Sequence, residues 1–216
     1  MERPALGIID AQRGFMPARE GERLGVKGFG ELPVNDSESI VAGVNQLLTS
    51  YAIRSHVTFT TQDWHPVNTA HFSSNPNFTT TWPLHCVAGT PGAELHPEIT
   101  VPSFAIQFKK GMEPLINGED DISYSGYNSF SGDGQSLGEF LTEKQVTAVV
   151  LGGLALDYCV GKTALDLRAK LDLDVIVAID ATGGIADESV HAMLDKFVKY
   201  GIRTMTVDQV LAWLED

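Results

Sequence analysis

Six short apolar runs, spaced along the chain with helical stretches between them, restrict the possible folds more than any other feature. They are Leu6 to Asp10, His56 to Thr61, Ala105 to Lys110, Val146 to Gly152, Val175 to Asp180 and Arg203 to Val207. Several are nearly continuous in Val, Ile, Leu and Ala, which suits strands buried on both faces of a parallel sheet. Between them, Ile40, Val44, Leu47 and Leu48 share one helical face, behind a cap expected at Asp36 or Ser37. Cys159 to Lys170 and Glu188 to Lys199 repeat that spacing, Gly201 reads as a helix stop, and Asp208 to Glu215 closes the chain as a short helix. Alternating strands and helices predict an α/β fold: a doubly wound, mainly parallel six-stranded sheet with helices on both faces. In such sheets ligands bind beyond the carboxyl ends of the strands.

Three connections are long and irregular, 11–35, 62–103 and 111–135, and each begins at a strand carboxyl end. Loops of that length in a compact domain are usually functional. At 216 residues the chain is expected to form a single domain, 1–216. Its 15 basic and 28 acidic residues leave a formal charge of −13. An acidic surface repels phosphate and anionic lipid, so neither a nucleic acid nor a membrane is an expected partner. No apolar run approaches the ~20 residues of a membrane helix. The run behind Met1-Glu2-Arg3-Pro4 is too short for a signal-peptide core, and a cytoplasmic protein is expected. Cys86 and Cys159 make no disulfide framework and are expected as free thiols.

Cys159 follows an apolar strand by a short loop, Gly153 to Tyr158. If Asp157 caps the next helix, Cys159 occupies its first turn, where the dipole and free N–H groups lower a thiol pKa. A nearby carboxylate acts the other way, and a buried, inert cysteine satisfies the same sequence. Asp10 ends the first strand and Lys110 the third. Lys109 and Lys110 point to opposite faces, so at most one of them faces a site. A thiol needs a base for its proton and a cation to hold the ionised pair; Asp10 and Lys110 could serve.

A second constellation is Asp63-Trp64-His65 with His71 and His85. One carboxylate and two or three imidazoles suit Zn²⁺, Fe²⁺ or Mn²⁺, but ordinary loop histidines answer equally well. Cys86 reads as structural, and His56, His96 and His191 as surface residues. Phe15, Trp82 and Tyr124 sit in the three long loops, as anchors or as walls for a flat ligand. Gly161-Lys162-Thr163 imitates the end of a P-loop but has Leu156 where its first glycine belongs. Asp121-x-Ser123-x-Ser125-Gly126 imitates a calcium loop but ends on Gly132, without a carboxylate. No Gly-x-Ser-x-Gly elbow is present.

Five segments, in order, resemble the nicotinamidases of the isochorismatase-like cysteine hydrolase superfamily. They are Ile8 to Phe15, Gln62 to Pro66, Trp82 to Val87, Phe108 to Gly111 and Gly153 to Val160. The resemblance implies a catalytic triad at Asp10, Lys110 and Cys159, with Lys110 chosen over Lys109 because glycine follows it. It implies metal ligands at Asp63, His65 and His85, with His71 at a more variable fourth position. Phe15 and Trp82 would flank a pyridine ring and Tyr124 would add a wall. The oxyanion hole would use the N–H groups of Ala155 and Cys159, beside a cis peptide at Leu154–Ala155. The implied activity is hydrolysis of nicotinamide to nicotinate and ammonia through a cysteine thioester, a step of NAD salvage. One divalent metal ion, Zn²⁺ first with Fe²⁺ or Mn²⁺ as alternatives, would bind the ring nitrogen. Pyrazinamide is a further implied substrate. An alternative keeps the fold and the thiol but acts on another small amide or an N-carbamoyl compound. The sequence departs from the resemblance in an enlarged loop, Pro17 to Leu32, in a long Met112 to Ser123 segment, and at Tyr127, where Phe is commoner.

Overall fold

The computed structural model describes residues 3–112 and 123–215. At its centre lies β1 (Pro4–Ile9), whose six residues are all buried. Its neighbours are β2 (Val57–Asp63) and β5 (Ala148–Leu154), both parallel to it. The sheet continues outward on one side through β3 (Ile106–Lys110) and β4 (Phe130–Ser131), and on the other through β6 (Asp174–Gly183) and β7 (Arg203–Met205). The order is β4-β3-β2-β1-β5-β6-β7, and only β4 runs antiparallel. Seven strands thus replace the expected six. The additional one is a two-residue edge strand, too short to carry the apolar pattern by which the others are read.

Helices cover both faces. On one face, α3 (Leu137–Glu143), α4 (Gly161–Leu171) and α5 (Asp187–Tyr200) pack Leu137, Phe140, Leu167 and Phe197 against Phe59, Phe108, Val149 and Val177. On the other, α2 (Ile40–Ile53) and α6 (Val207–Trp213) pack Val44, Leu47, Leu48 and Val210 against Leu6, Ile8, Val150 and Ile176. Gly201 stops α5 in the left-handed conformation, as expected. The cap expected for α2 is corrected. Asp36 makes no capping hydrogen bond, and the Ser37 hydroxyl donates instead to the carbonyls of Phe15 and Val34. Ser37 therefore ties the first long loop to the body rather than starting a helix.

That first loop contains α1 (Ala18–Leu24), which the sequence reading left irregular. Ion pairs hold it down: Arg23 reaches Glu20 at 2.7 Å and Glu98 at 2.6 Å. His96, expected on the surface, is buried instead, with Nε2 3.4 Å from Glu20. The chain changes direction at β1, going to β2 and β3 on one side and returning to β5 on the other. The carboxyl ends around that switch point are where a doubly wound sheet leaves a crevice. Among the described residues, no helix is long and apolar enough to cross a membrane.

Candidate active site

Four adjacent strand ends supply one polar cluster. Asp10 follows β1, Asp63 ends β2, Lys110 ends β3, and Cys159 lies in a π turn, Leu156–Val160, just beyond β5. Parallel pairing sets Asp63 beside Lys110. Alternation sends Lys109 the other way, where its ammonium covers the Trp64 ring at 3.4 Å. Gly153 makes the approach of β5 to β1 possible. Its φ is +112°, and a Cβ there would stand 1.9 Å from the Ile9 carbonyl oxygen.

Asp10, Asp63, Lys110 and Cys159 are all buried. The Lys110 ammonium lies 2.8 Å from Asp10 Oδ2 and 3.3 Å from the Cys159 sulfur. It also pairs with Asp63 Oδ1 and donates to the Ser123 carbonyl at 3.2 Å. The two carboxylates and the sulfur offer atoms within 4.8 Å of one another. Burial works to lower the Lys110 pKa, but the two carboxylates outweigh it and hold the ammonium charged. Burial would also raise Asp63, but Lys110 and His65 outweigh it and hold this carboxyl below its ordinary range. Asp10 goes the other way: burial lifts it above that range, against the pull of Lys110. Burial likewise pushes the Cys159 thiol well up, with Lys110 opposing. A helix start does not leave this sulfur ionised at rest. It keeps its proton until a base takes it.

The three histidines converge beside Asp63. His65, His71 and His85 are buried and offer nitrogens within 4.8 Å of one another. His65 Nδ1 is 3.0 Å from the Gly111 carbonyl, and His85 Nδ1 is 2.7 Å from the Pro83 carbonyl. A carbonyl accepts, so each Nδ1 carries a proton, and in the neutral form of the ring Nε2 is left to present a lone pair. His65 Nε2 and His71 Nδ1 are buried with no hydrogen-bond partner. Burial, followed by the neighbouring imidazoles, lowers His71 to about 3 and His85 to about 4, so both are neutral near pH 7. Asp63 Oδ2 faces His65 Nε2 at 3.5 Å. Neutral imidazoles with orphaned inward nitrogens, beside one ionised carboxylate, fit a divalent cation, and the donor set suits zinc. Cys86 stays apart from this group, with its sulfur 3.5 Å from the Gly92 carbonyl.

Between the histidines and the thiol lies a narrow pocket. Phe15, Trp82, Tyr124 and Tyr158 are its aromatic walls, and Leu32 and Val34 come from the first long connection. Trp82 Nε1 donates to the Tyr124 hydroxyl at 2.8 Å, and that hydroxyl donates to the Thr79 carbonyl at 3.2 Å. Phe15 meets His85 with ring centroids 5.4 Å apart. Ala155 and Cys159 also line the pocket, and the Leu154–Ala155 peptide is cis.

Every site residue singled out in the sequence falls in this one region: Asp10, Phe15, Asp63, His65, His71, Trp82, His85, Lys110, Tyr124, Ala155 and Cys159. Asp157 is the exception to its expected part. Its carboxylate accepts the N–H groups of Ile185 and Ala186 and the Ser189 hydroxyl, so it fixes the approach to α5 rather than the start of α4. The Met112 to Ser123 segment lies largely outside the described residues, as does Asp121, the first residue of the calcium-loop imitation.

Several contributors are missed by the sequence reading. Buried Gln12 accepts the Asp63 N–H at 2.8 Å and donates to the Asp63 carbonyl at 2.9 Å, clamping the end of β2. Glu31 accepts the N–H of Cys86, next to His85, at 2.8 Å. Thr61 donates to Asp10 Oδ1 at 2.7 Å. Gln12 stands inside a segment that carries the family resemblance, which is a usable signal, whereas Glu31 lies in the enlarged loop that departs from it. Thr61 has none, being one apolar-run threonine among several.

Comparisons with known proteins agree in kind. The isochorismatase domain matches residues 4–209. The nicotinamidase/pyrazinamidase of Mycobacterium tuberculosis is 32% identical over 206 residues, covering 95% of this chain and 97% of that protein. A crystal structure of the Pyrococcus horikoshii pyrazinamidase in complex with zinc superposes with a TM-score of 0.76 at 31% identity, over 94% of this chain and 99% of that one. A structure from L. infantum in complex with nicotinate superposes at 0.74 with 27% identity, over 95% of this chain and 93% of that one.

Proposed function

The chain belongs to the isochorismatase family, and from that premise we propose that it hydrolyses nicotinamide to nicotinate and ammonia with Cys159 as nucleophile. One observation carries the reading: a buried thiol, a buried carboxylate and a buried ammonium meet at one end of a flat aromatic pocket whose other end is a cluster of orphaned imidazole nitrogens. A carboxamide on a nitrogen heterocycle matches both ends. A small amide without a ring would leave the histidine end without a partner.

Phe15 and Trp82 hold the ring between them, and Tyr124 closes the side. Asp63, His65 and His85, with His71 as a fourth donor, would hold the divalent cation. When bound, it supplies a Lewis-acid contact for the ring nitrogen. Asp10 removes the Cys159 proton, for which its raised pKa equips it. Lys110 lies against both groups and stabilises the sulfur as its charge develops. The thiolate attacks the amide carbon. The oxyanion then rests on the N–H groups of Ala155 and Cys159, an interaction worth ~3 to 4 kcal/mol per donor in comparable sites. Asp10 returns the proton to the departing ammonia. A water then attacks the thioester, with Asp10 again as base, and nicotinate leaves.

The test is ammonia release from a panel of small amides that includes nicotinamide, pyrazinamide and an N-carbamoyl amino acid, using metal-loaded and metal-stripped protein. Nicotinamide and pyrazinamide should turn over, and stripping should abolish or sharply reduce both. Cys159→Ala should retain nicotinate binding without turnover. Undiminished turnover by that variant ends the thiol mechanism. Preference for the N-carbamoyl compound ends the ring-nitrogen reading.

A further inference from the structure

We propose that Thr61 is a positioning residue that decides which oxygen of Asp10 handles the thiol proton. The Thr61 hydroxyl has a single proton to give. The backbone N–H of Asp10 points at Thr61 Oγ1 from 3.3 Å, so that oxygen is already an acceptor. Its own proton is directed to Asp10 Oδ1, 2.7 Å away. Both residues are fully buried, so no water competes for either contact. Oδ1 is therefore held by a donor that has no second direction in which to turn.

Asp10 Oδ2 is in the opposite condition. It is buried without a hydrogen-bond partner of good geometry, although the Lys110 ammonium stands 2.8 Å from it in ionic contact. The same ammonium stands 3.3 Å from the Cys159 sulfur, which puts the thiol on the Lys110 side of the carboxylate. Oδ1 is engaged by the Thr61 hydroxyl, and Oδ2, on the Lys110 side with the sulfur, is engaged by no hydroxyl. When the S–H bond of Cys159 breaks, the new O–H bond forms on Oδ2, and the leaving amine later takes the proton from that same atom. Without the Thr61 hydroxyl the carboxylate loses the contact that fixes its rotation and can take its proton on Oδ1, the oxygen held toward β2 instead of toward Lys110.

Local structure explains why this position carries the hydroxyl. Asp10 has φ +45°, outside the strand conformation, and its N–H continues the β1–β2 pairing onto the Thr61 carbonyl at 3.2 Å. That bend turns the Asp10 side chain back over β2. Thr61 is the residue of β2 directly beneath it, two before Asp63.

The inference rests on the thiol chemistry proposed above, and two measurements separate its failure from failure of that reading. The first is the rate at which iodoacetamide alkylates Cys159, followed by mass spectrometry so that Cys86 is scored apart. It needs no amide substrate. The second is the split between kcat and KM for nicotinamide. Thr61→Val keeps the shape and removes the hydroxyl. It should slow alkylation and lower kcat by about 10- to 100-fold, the scale of a misplaced catalytic group, with KM and nicotinate affinity unchanged. Thr61→Ser keeps the hydroxyl and should restore most of both rates. Wild-type rates in Thr61→Val overturn the proposal. So does a Thr61→Ser as slow as Thr61→Val, because the methyl group would then be what matters. If Thr61→Val does not fold, the serine variant decides alone: near wild-type rates support the hydroxyl's role and a deep loss overturns it. A wild-type protein inert toward nicotinamide, with alkylation still hydroxyl-dependent, would end the substrate reading and leave Thr61 in its place.

Discussion

The Lys110 ammonium stands 3.3 Å from the sulfur of Cys159, a residue 49 positions away in the chain. It is also the counter-ion of two buried carboxylates, Asp10 and Asp63. One cation thus joins the thiol end of the pocket to the histidine end. Replacing it by Met, which fills similar space, leaves two buried carboxylates facing each other without a counter-charge. Breaking a buried ion pair from one side costs about 3 to 5 kcal/mol. Lys110→Met should lose that much in denaturant unfolding of the metal-stripped protein. It should also lose at least ~10² in kcat, since the sulfur no longer has a cation beside it. A variant that melts normally and turns over normally would place the charge balance of the pocket elsewhere.

A pH dependence follows from the histidines. His71 and His85 titrate near 3 and 4 in the folded, metal-stripped protein, against about 6.5 when unfolded. As pH falls below about 6.5 the unfolded chain takes up protons that the folded one refuses. Each group then removes about 1.4 kcal/mol of stability per pH unit, until the pH reaches its folded pKa. Asp63 has the usual carboxylate sign: its contribution is lost only below its unfolded value near 3.8. Between pH 6.5 and about 4 His71 and His85 dominate the slope, with His56 and His96 adding to it and the raised Asp10 opposing it. Thermal melts of stripped protein across that window should fall steeply, and His71→Asn together with His85→Asn should make the fall markedly shallower. Saturating metal should raise stability across the window and leave the slope in place, because the folded histidines stay proton-free with or without it. A flat profile in stripped wild type would mean that these imidazoles are not held neutral.

Gly111 offers a test of how the ligand cluster is aimed. Its φ is +66°, and a Cβ there would lie 2.5 Å from Cε1 of the His65 ring. Its carbonyl also holds His65 Nδ1. Gly111→Ala combines strain at a left-handed position, typically about 1 kcal/mol or more, with a forced shift of that imidazole. Disturbing the partner that orients a metal-bound histidine commonly costs ~10- to 100-fold in metal affinity. Chelator competition should show that drop, larger than any loss of melting temperature implies. Unchanged affinity would mean that His65 tolerates displacement and is a secondary donor.

The parts of this molecule legible in the sequence are those where one local rule acted alone. Continuous apolar runs marked six of the strands within two or three residues, because strands covered on both faces leave no polar position. The amphipathic helices α2 and α5 and the Gly201 stop were readable for the same reason. The short elements were not. β4 has two residues, and α1, with sequence Ala-Arg-Glu-Gly-Glu-Arg-Leu, shows no apolar face; ion pairs from Arg23 to Glu20 and Glu98 hold it instead. His96 was misplaced because its burial depends on Glu20 and Phe29, far away in sequence. Among the site residues, convergence of Asp10, Lys110 and Cys159 followed from strand ends and resemblance together. Composition alone left each of them an ordinary loop residue. Asp157 was read as a cap for the nearest helix, and a carboxylate's reach across to the residues before α5 has no local signature.

The final prediction separates binding from chemistry. The Trp82 indole N–H donates to the Tyr124 hydroxyl at 2.8 Å, and that hydroxyl passes the bond on to the Thr79 carbonyl. Trp82 is 2% exposed, so its N–H has no easy replacement partner in water. Tyr124→Phe keeps the ring and removes the hydroxyl. It leaves a buried donor and a carbonyl unpaired, at a cost of about 1 to 3 kcal/mol. Part of that loss should appear as stability, and part as freedom of Trp82 to leave its position against the ring. The hydrogen-bond partners of the Tyr124 hydroxyl are Trp82 and Thr79, not the sulfur or Asp10. KM for nicotinamide should therefore rise severalfold while kcat changes little. The reverse pattern, a deep fall in kcat at constant KM, would put the Tyr124 hydroxyl in the chemical step and not in the wall of the pocket.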